Sequence, residues 1–272
     1  MRIGTTSFIY PGGWLFNVER LAQDFDDVEI LFFEADGPGA LPDLAERQAL
    51  ARCKREHDLT YSLHAPLSAS LASQDETRRR AGVTSVLRAL DAAAPFEPDN
   101  IVLHVYHGDG ERDPNPPPDL AAWRERAANS LSAIAASGIG RERLCVELLD
   151  YDYGLIEPVV AELGLSVALD IGHLVRDGLD ELAALRRLWA RTRIVQWHGT
   201  DPNDRDHRSL EHYPRARAVA LIEALLAGGY SGVLTLEVFR QADLERSRVV
   251  LEEVFAQLGC PYPSRRAARG CS

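Results

Sequence analysis

VALDIGH (167–173) decides how this chain is read. An apolar stretch runs straight into Asp170, and His173 follows three positions later. Apolar runs of this kind, set between helical stretches, read as strands buried on both faces. A charged residue on the last position of such a strand has no packing reason to be there. Gly172 offers a backbone bend that would turn Asp170 and His173 toward one point. The arrangement recurs six times, in LFFE (31–34), YSLH (61–64), IVLH (101–104), LCVE (144–147), VQWH (195–198) and LTLE (234–237). Their last residues are Glu34, His64, His104, Glu147, His198 and Glu237.

With the N-terminal run RIGTTSF, strand-like segments fall at 2–8, 28–33, 60–65, 100–105, 143–149, 166–171, 194–199 and 232–238. Amphipathic segments alternate with them, at 17–25, 41–58, 75–94, 118–137, 155–164, 180–191, 214–229 and 242–259. Their apolar positions recur at three and four, the helical period, and Gly164 and Gly259 read as helix stops. Eightfold βα alternation predicts an α/β protein, a single (β/α)8 TIM barrel over residues 1–260. A doubly wound open sheet is the runner-up, but FIYPGGW (8–14), after the first strand, is not the glycine-rich phosphate turn such sheets carry. The basic stretch 261–272 reads as a flexible tail. Two long βα loops, 109–119 and 199–214, fall on the face where barrels carry function.

Composition narrows the function classes. The chain has 272 residues and a formal net charge of −11, which weighs against a duplex-gripping protein because phosphate neutralisation drives that binding. No apolar run is long enough to span a bilayer, and MRIGTTSFIY lacks a signal-peptide pattern, so a cytoplasmic protein without a membrane partner is expected. Cys53, Cys145, Cys260 and Cys271 are scattered, with no C-x-x-C, which argues against a disulfide framework or a thiolate zinc site. Oligomeric state is not readable.

The strand-end groups carry chemistry. A single histidine ending a strand is usually structural, but His64, His104, His173 and His198 would require that accident four times. Glu147, Asp170 and Glu237, gathered at one buried mouth, would repel one another unless cations lay between them. The donor set is nitrogen and oxygen without sulfur, which suits one to three divalent ions, zinc or manganese foremost, with iron and cobalt also compatible. DRDHR (204–208) adds a second Asp/His pair, Asp206 and His207, beside Asp204; its bland alternative is a solvated charged loop. Clustered cations suit phosphate-ester hydrolysis, since they polarise phosphoryl oxygens and stabilise a leaving alkoxide. One ion served by a histidine and a lysine suits aldose–ketose isomerisation instead, but the chain's single lysine, Lys54, lies on a predicted helix away from the strand ends.

Taken in order, His64, His104, Glu147, Asp170–x–x–His173, His198, the Asp204/Asp206 loop and Glu237 resemble the endonuclease IV and xylose-isomerase-like barrel superfamily, from about residue 2 to 258. In the endonuclease branch the corresponding groups hold three zinc ions. The resemblance implies Glu147, Asp170, His198 and Glu237 as shared core ligands, with His64, His104, His173, Asp204 and Asp206 completing further sites. The chain departs from that branch at the seventh loop, where Asp206 stands in the histidine's place and His207 comes next. MRIGTTSFIYP, NVERLA and DDVEILFFE further resemble the cobamide-remodelling phosphodiesterases of this superfamily, and SLHAPL and FEPDNIVLH are compatible.

That resemblance implies a metal-dependent hydrolase cleaving the nucleotide loop of cobamides to cobinamide phosphate and an α-riboside, for corrinoid salvage. It implies Glu147 and Glu237 as catalytic groups and a small-molecule corrinoid as partner, with no nucleic acid. Glu34, Tyr10, Tyr106 and His207 are the candidate substrate contacts. Strand-end and loop aromatics such as Phe8, Trp14, Tyr151, Tyr153, Trp197 and Tyr213 are candidates for packing on the ring system, whereas Phe32 and Phe33 read as core. The alternatives are a divalent-metal sugar isomerase or epimerase, a non-catalytic binder of the same fold, and an abasic-site nuclease disfavoured by the acidity.

Overall fold

The computed structural model describes residues 1–106, 116–148, 151–201, 203 and 206–263. In chain order the elements are β1 (Arg2–Thr6), α1 (Trp14–Leu21), β2 (Asp27–Leu31), α2 (Leu44–Glu56), β3 (Thr60–His64), α3 (Glu76–Ala93), β4 (Asn100–Leu103), α4 (Leu120–Ala135) and β5 (Leu144–Glu147). They continue as α5 (Glu157–Glu162), β6 (Ser166–Asp170), α6 (Ile171–Arg176), α7 (Glu181–Leu188), β7 (Thr192–Trp197), α8 (Arg215–Ala227), β8 (Val233–Leu236) and α9 (Gln241–Gln257). The strands form a closed parallel barrel in sequence order, β1 through β8, as the alternation predicts.

Local chemistry sets the boundaries. Asp75, Asp119 and Asp180 accept hydrogen bonds from the first-turn amides of α3, α4 and α7, the donors a helix leaves without partners. Gly164 and Gly259 have φ of 68° and 66° and end α5 and α9, left-handed positions that a Cβ would disfavour. The sequence pattern does not anticipate α6. Asp170 closes β6 and, in the same position, N-caps α6 by accepting the His173 amide at 2.9 Å. The D-I-G-H segment is therefore a strand end followed by the first turn of a helix.

By contact the chain divides into two compact units, residues 1–29, 53–60 and 169–272, and residues 30–52 with 61–168. In the first, Ile3 and Val195 both pair with Leu234. A polar layer lies beneath: Gly4 pairs with Asp27 and Thr235, Thr235 pairs with Gln196, and Gln196 donates to Glu29 at 3.4 Å. In the second unit, Ile101 pairs with Leu144 and Val146 with Val167, and Trp123, Leu131 and Ile134 of α4 are fully buried. The near-continuous burial of the strands explains why they read as unbroken apolar runs rather than as alternating ones. Among the described residues no helix is long and apolar enough to cross a membrane. Cys53, Cys145 and Cys260 are thiols outside any disulfide.

Candidate metal centre

In the second unit, His64 and Glu147 are the last residues of β3 and β5, and His104 follows the last residue of β4. Their ligand atoms lie within 4.8 Å of one another. His104 Nε2 is 2.7 Å and His64 Nε2 3.4 Å from Glu147 Oε2, and all three side chains are nearly buried. Burial alone would raise the Glu147 pKa; His104, and then His64, outweigh it and hold the carboxyl well below its usual range. The far nitrogens have fixed partners, since His64 Nδ1 meets the Ala65 carbonyl at 2.9 Å and His104 Nδ1 the Tyr106 hydroxyl at 2.5 Å. A carbonyl accepts only from Nδ1–H, so a neutral His64 would carry its lone pair on Nε2, free for an ion beside Glu147, whereas the metal-free contact with Glu147 needs Nε2–H. Tyr106 is itself anchored by Trp123 Nε1–H, which donates to its carbonyl at 3.2 Å.

The first unit carries the larger set. Asp170 ends β6, His173 lies in the first turn of α6, and His198 and Glu237 directly follow β7 and β8. Two groups have ligand atoms within 4.8 Å: Asp170 with His198 and Glu237, and His173 with His198 and His207. His198 Nε2 lies 3.3 Å from Asp170 Oδ1, and His173 Nδ1 lies 3.2 Å from Asp170 Oδ2. His198 Nε2 is buried with no hydrogen bond among the described residues. Ligands about 2.0–2.2 Å from a tetrahedral zinc sit roughly 3.4 Å from each other, so this spacing and this orphaned nitrogen fit a divalent ion. His198 Nδ1 lies 3.2 Å from the Gly199 carbonyl and 3.1 Å from the His207 amide, and the first contact alone matches the tautomer with its lone pair on Nε2.

Burial lowers the His198 pKa, but Asp170 overrides it and the net shift is upward. His207 goes the other way: burial and the neighbouring His198 push it down to about 4, so it is a neutral imidazole. Its Nδ1 meets the Glu237 carbonyl at 3.1 Å, leaving Nε2 as the donor atom. Gly172 has a different task from a bend. A Cβ there would stand 2.3 Å from His198 Cε1 and Nε2, so a bare backbone is what lets the His198 ring lie against α6.

The remaining candidates take other positions. Asp206 belongs to none of the groups above; Arg176 Nη1 donates to its Oδ2 at 2.5 Å, and His173 Nε2 is 3.8 Å away. Asp204 lies outside the described residues. Glu34 is exposed and accepts from Ser68 at 2.8 Å. Tyr10 is partly exposed under the Arg20 guanidinium, 5.3 Å away, and its backbone is tied to the buried Asn17 amide, a connection invisible as a motif. Tyr106, expected at the substrate, here orients His104. Phe32, Tyr151, Tyr153, Trp197 and Tyr213 are buried, whereas Phe33, expected in the core, is 39% exposed. Phe8 is 51% exposed, and the Phe239 ring lies 4.6 Å from that of His207. Sequence reasoning passed over Arg176, although its spacing from His173 puts both on one helical face. A cavity of about 360 Å³ beside the histidines is lined by Arg176, His198, Thr200, Asp201 and Tyr213 among others.

A family model for xylose isomerase-like TIM barrels matches residues 19–254. Among curated protein sequences none matches the chain. Among solved structures, a D-tagatose 3-epimerase-like protein superposes with a TM-score of 0.74 at 19% identity, covering 95% of this chain and 98% of that one. D-psicose 3-epimerase, solved in the presence of D-fructose, gives 0.71 at 18% identity, covering 95% and 100%. Endonuclease IV from Thermus thermophilus gives 0.67 at 21% identity, covering 94% and 100%. At these identities the likeness is one of fold.

Proposed function

The chain belongs to the xylose isomerase-like TIM barrel family, and from that premise we propose that it is a metal-dependent phosphodiesterase that hydrolyses the nucleotide loop of cobamides. The supporting observation is the donor set: sulfur-free and rich in imidazole, with Glu147, Asp170 and Glu237 as its carboxylates. His64, His104 and Glu147 would hold one ion, and Asp170, His198 and Glu237, extended by His173 and His207, would hold the others. Such ions supply Lewis acidity toward phosphoryl oxygens and make water a stronger acid. The protein's own groups do the rest. Glu147 stays ionised between two imidazoles and so contributes full negative charge. Glu237, nearly buried at the end of β8, would accept the proton of the attacking water. Water oxygen bonds to phosphorus, the bond from phosphorus to the riboside oxygen breaks, and that oxygen takes a proton from solvent, so the riboside leaves as an alcohol while Glu237 returns its proton to water.

Two further observations favour a bulky, partly apolar small molecule over nucleic acid. Phe8 and Phe16 in the first unit, and Phe33 and Leu67 in the second, are exposed in segments that follow barrel strands or open the first helix. The net charge of −11 opposes a polyanion. Incubation of the metal-loaded protein with adenosylcobalamin, followed by chromatography and mass spectrometry, should yield α-ribazole and a cobinamide phosphate. No release with zinc, manganese, cobalt or iron would overturn the proposal.

A second reading, a one-ion sugar epimerase, draws on the Asp170, His198 and Glu237 group, whose ligand atoms lie within 4.8 Å of one another and could hold one ion. Ketohexose turnover in D₂O with deuterium incorporated at carbon would favour it, and the His64, His104, Glu147 group would then have no catalytic part.

A further inference from the structure

The seventh loop offers two adjacent donors, the Asp206 carboxylate and the His207 imidazole. The structure treats them differently. Arg176, on α6, has a side chain only 4% exposed; it grips Asp177 through Nε at 2.9 Å and Nη2 at 3.1 Å, and reaches Asp206 Oδ2 through Nη1 at 2.5 Å. A guanidinium held by three charge-assisted bonds is a stiff clamp. Asp206 Oδ1 is buried and makes no hydrogen bond among the described residues. The carboxylate is thus a competent donor with one oxygen committed elsewhere.

His207 is delivered by its backbone. Its φ of 54° is one of three positive values at non-glycine residues in the described chain. Left-handed backbone at a residue with a Cβ costs about 1 kcal/mol or more and persists where surrounding contacts enforce it. Those contacts are present: the His207 amide lies 3.1 Å from His198 Nδ1, and its own Nδ1 meets the Glu237 carbonyl at 3.1 Å. The ring comes to 4.3 Å from that of His198 and 5.8 Å from that of His173.

We propose that Arg176 and the left-handed backbone at His207 together select the seventh-loop ligand: Arg176 withholds Asp206, and the backbone delivers His207. Arg176 is then a positioning residue. The proposal rests on the metal-centre reading, and the test separates the two. Apo protein is loaded with zinc, desalted, and its metal content per chain measured for the wild type and for D206N, H207N and R176M/H207N, with circular dichroism to check folding. The expected result is wild-type content in D206N, one ion fewer in H207N, and recovery of that ion in R176M/H207N as the released carboxylate takes the vacant position. Loss of an ion in D206N, or no loss in H207N, overturns the selection proposal while leaving the metal centre standing. A wild-type protein that retains no metal overturns the functional reading and the selection proposal with it.

Discussion

Gly172→Ala sets two effects against each other. Gly172 is the second residue of α6, and alanine in a helix is favoured over glycine by about 0.5–1 kcal/mol. Helix propensity by itself therefore predicts a more stable protein. The added Cβ would, however, stand 2.3 Å from both Cε1 and Nε2 of His198. Ordinary carbon contacts are about 3.5–4 Å, so the ring must withdraw by roughly 1.2 Å or more. His198 is fully buried, and a ring pushed toward the neighbouring cavity would leave its position 3.3 Å from Asp170. Overpacking of this kind costs about 1–3 kcal/mol, which exceeds the helix gain. Metal–ligand distances tolerate only about 0.2 Å, so the displaced Nε2 ceases to be a ligand. The expected outcome is a fall in zinc affinity of about 100-fold, or about 2.7 kcal/mol, at the Asp170, His198, Glu237 group. Titration of apo protein against a chromogenic chelator reads the affinity, and a melt in chelator reads the stability. Adding the same alanine to His198→Ala should instead stabilise by about 0.5–1 kcal/mol, because the opposing ring is gone. Wild-type zinc affinity in Gly172→Ala, with a raised melting temperature in chelator, would refute the steric account.

Three other outcomes are expected. Tyr106→Phe removes the hydroxyl 2.5 Å from His104 Nδ1 and should weaken the ion held by His64, His104 and Glu147 by about 10-fold, as loss of such outer partners commonly does; unchanged affinity in the chelator titration would count against that role. Asp170→Asn and Asp170→Ala should both lose the ion, yet in chelator alanine should cost about 1 kcal/mol more than asparagine, because asparagine still caps α6. Zinc content should fall as pH drops through the region at and above 6.5, the ordinary histidine value that His198 exceeds. The sign follows from competition: protons occupy a raised-pKa imidazole first, whereas His207, pushed down to about 4, stays available until far more acidic pH. In the metal-free protein His198 contributes stability below its unfolded pKa that is lost as pH rises through the folded value. A single loss of metal near pH 4 would contradict this order.

The barrel was legible because its strands are buried on both faces. Runs such as IVLH and LCVE cannot alternate polar and apolar residues, so the polar residue at each end stands out against the run. Helix α6 was hidden for the converse reason. It has six residues, too few to display a period, and its cap is the same Asp170 that closes β6. One side chain thus serves three purposes, as strand terminus, helix cap and candidate ligand, and a sequence motif records only that an acid is present.

In the seventh loop, interval along the chain and side-chain placement part ways. Spacing along the chain favours Asp206, two positions after Asp204, as the donor, because residues that matter are assumed to keep their intervals. Side-chain placement depends on φ as much as on interval. A left-handed residue redirects the chain within one position, which brings the His207 ring beside His198 while the Asp206 carboxylate turns toward Arg176. Neither the positive φ nor the partner on α6 can be read from DRDHR itself, since most histidines keep a negative φ even though histidine is enriched among the exceptions, and Arg176 lies 30 residues upstream of Asp206. Interval motifs therefore point to a candidate metal centre only to within a loop, and under the selection proposed above the backbone and the nearest guanidinium decide which atom of that loop would serve it.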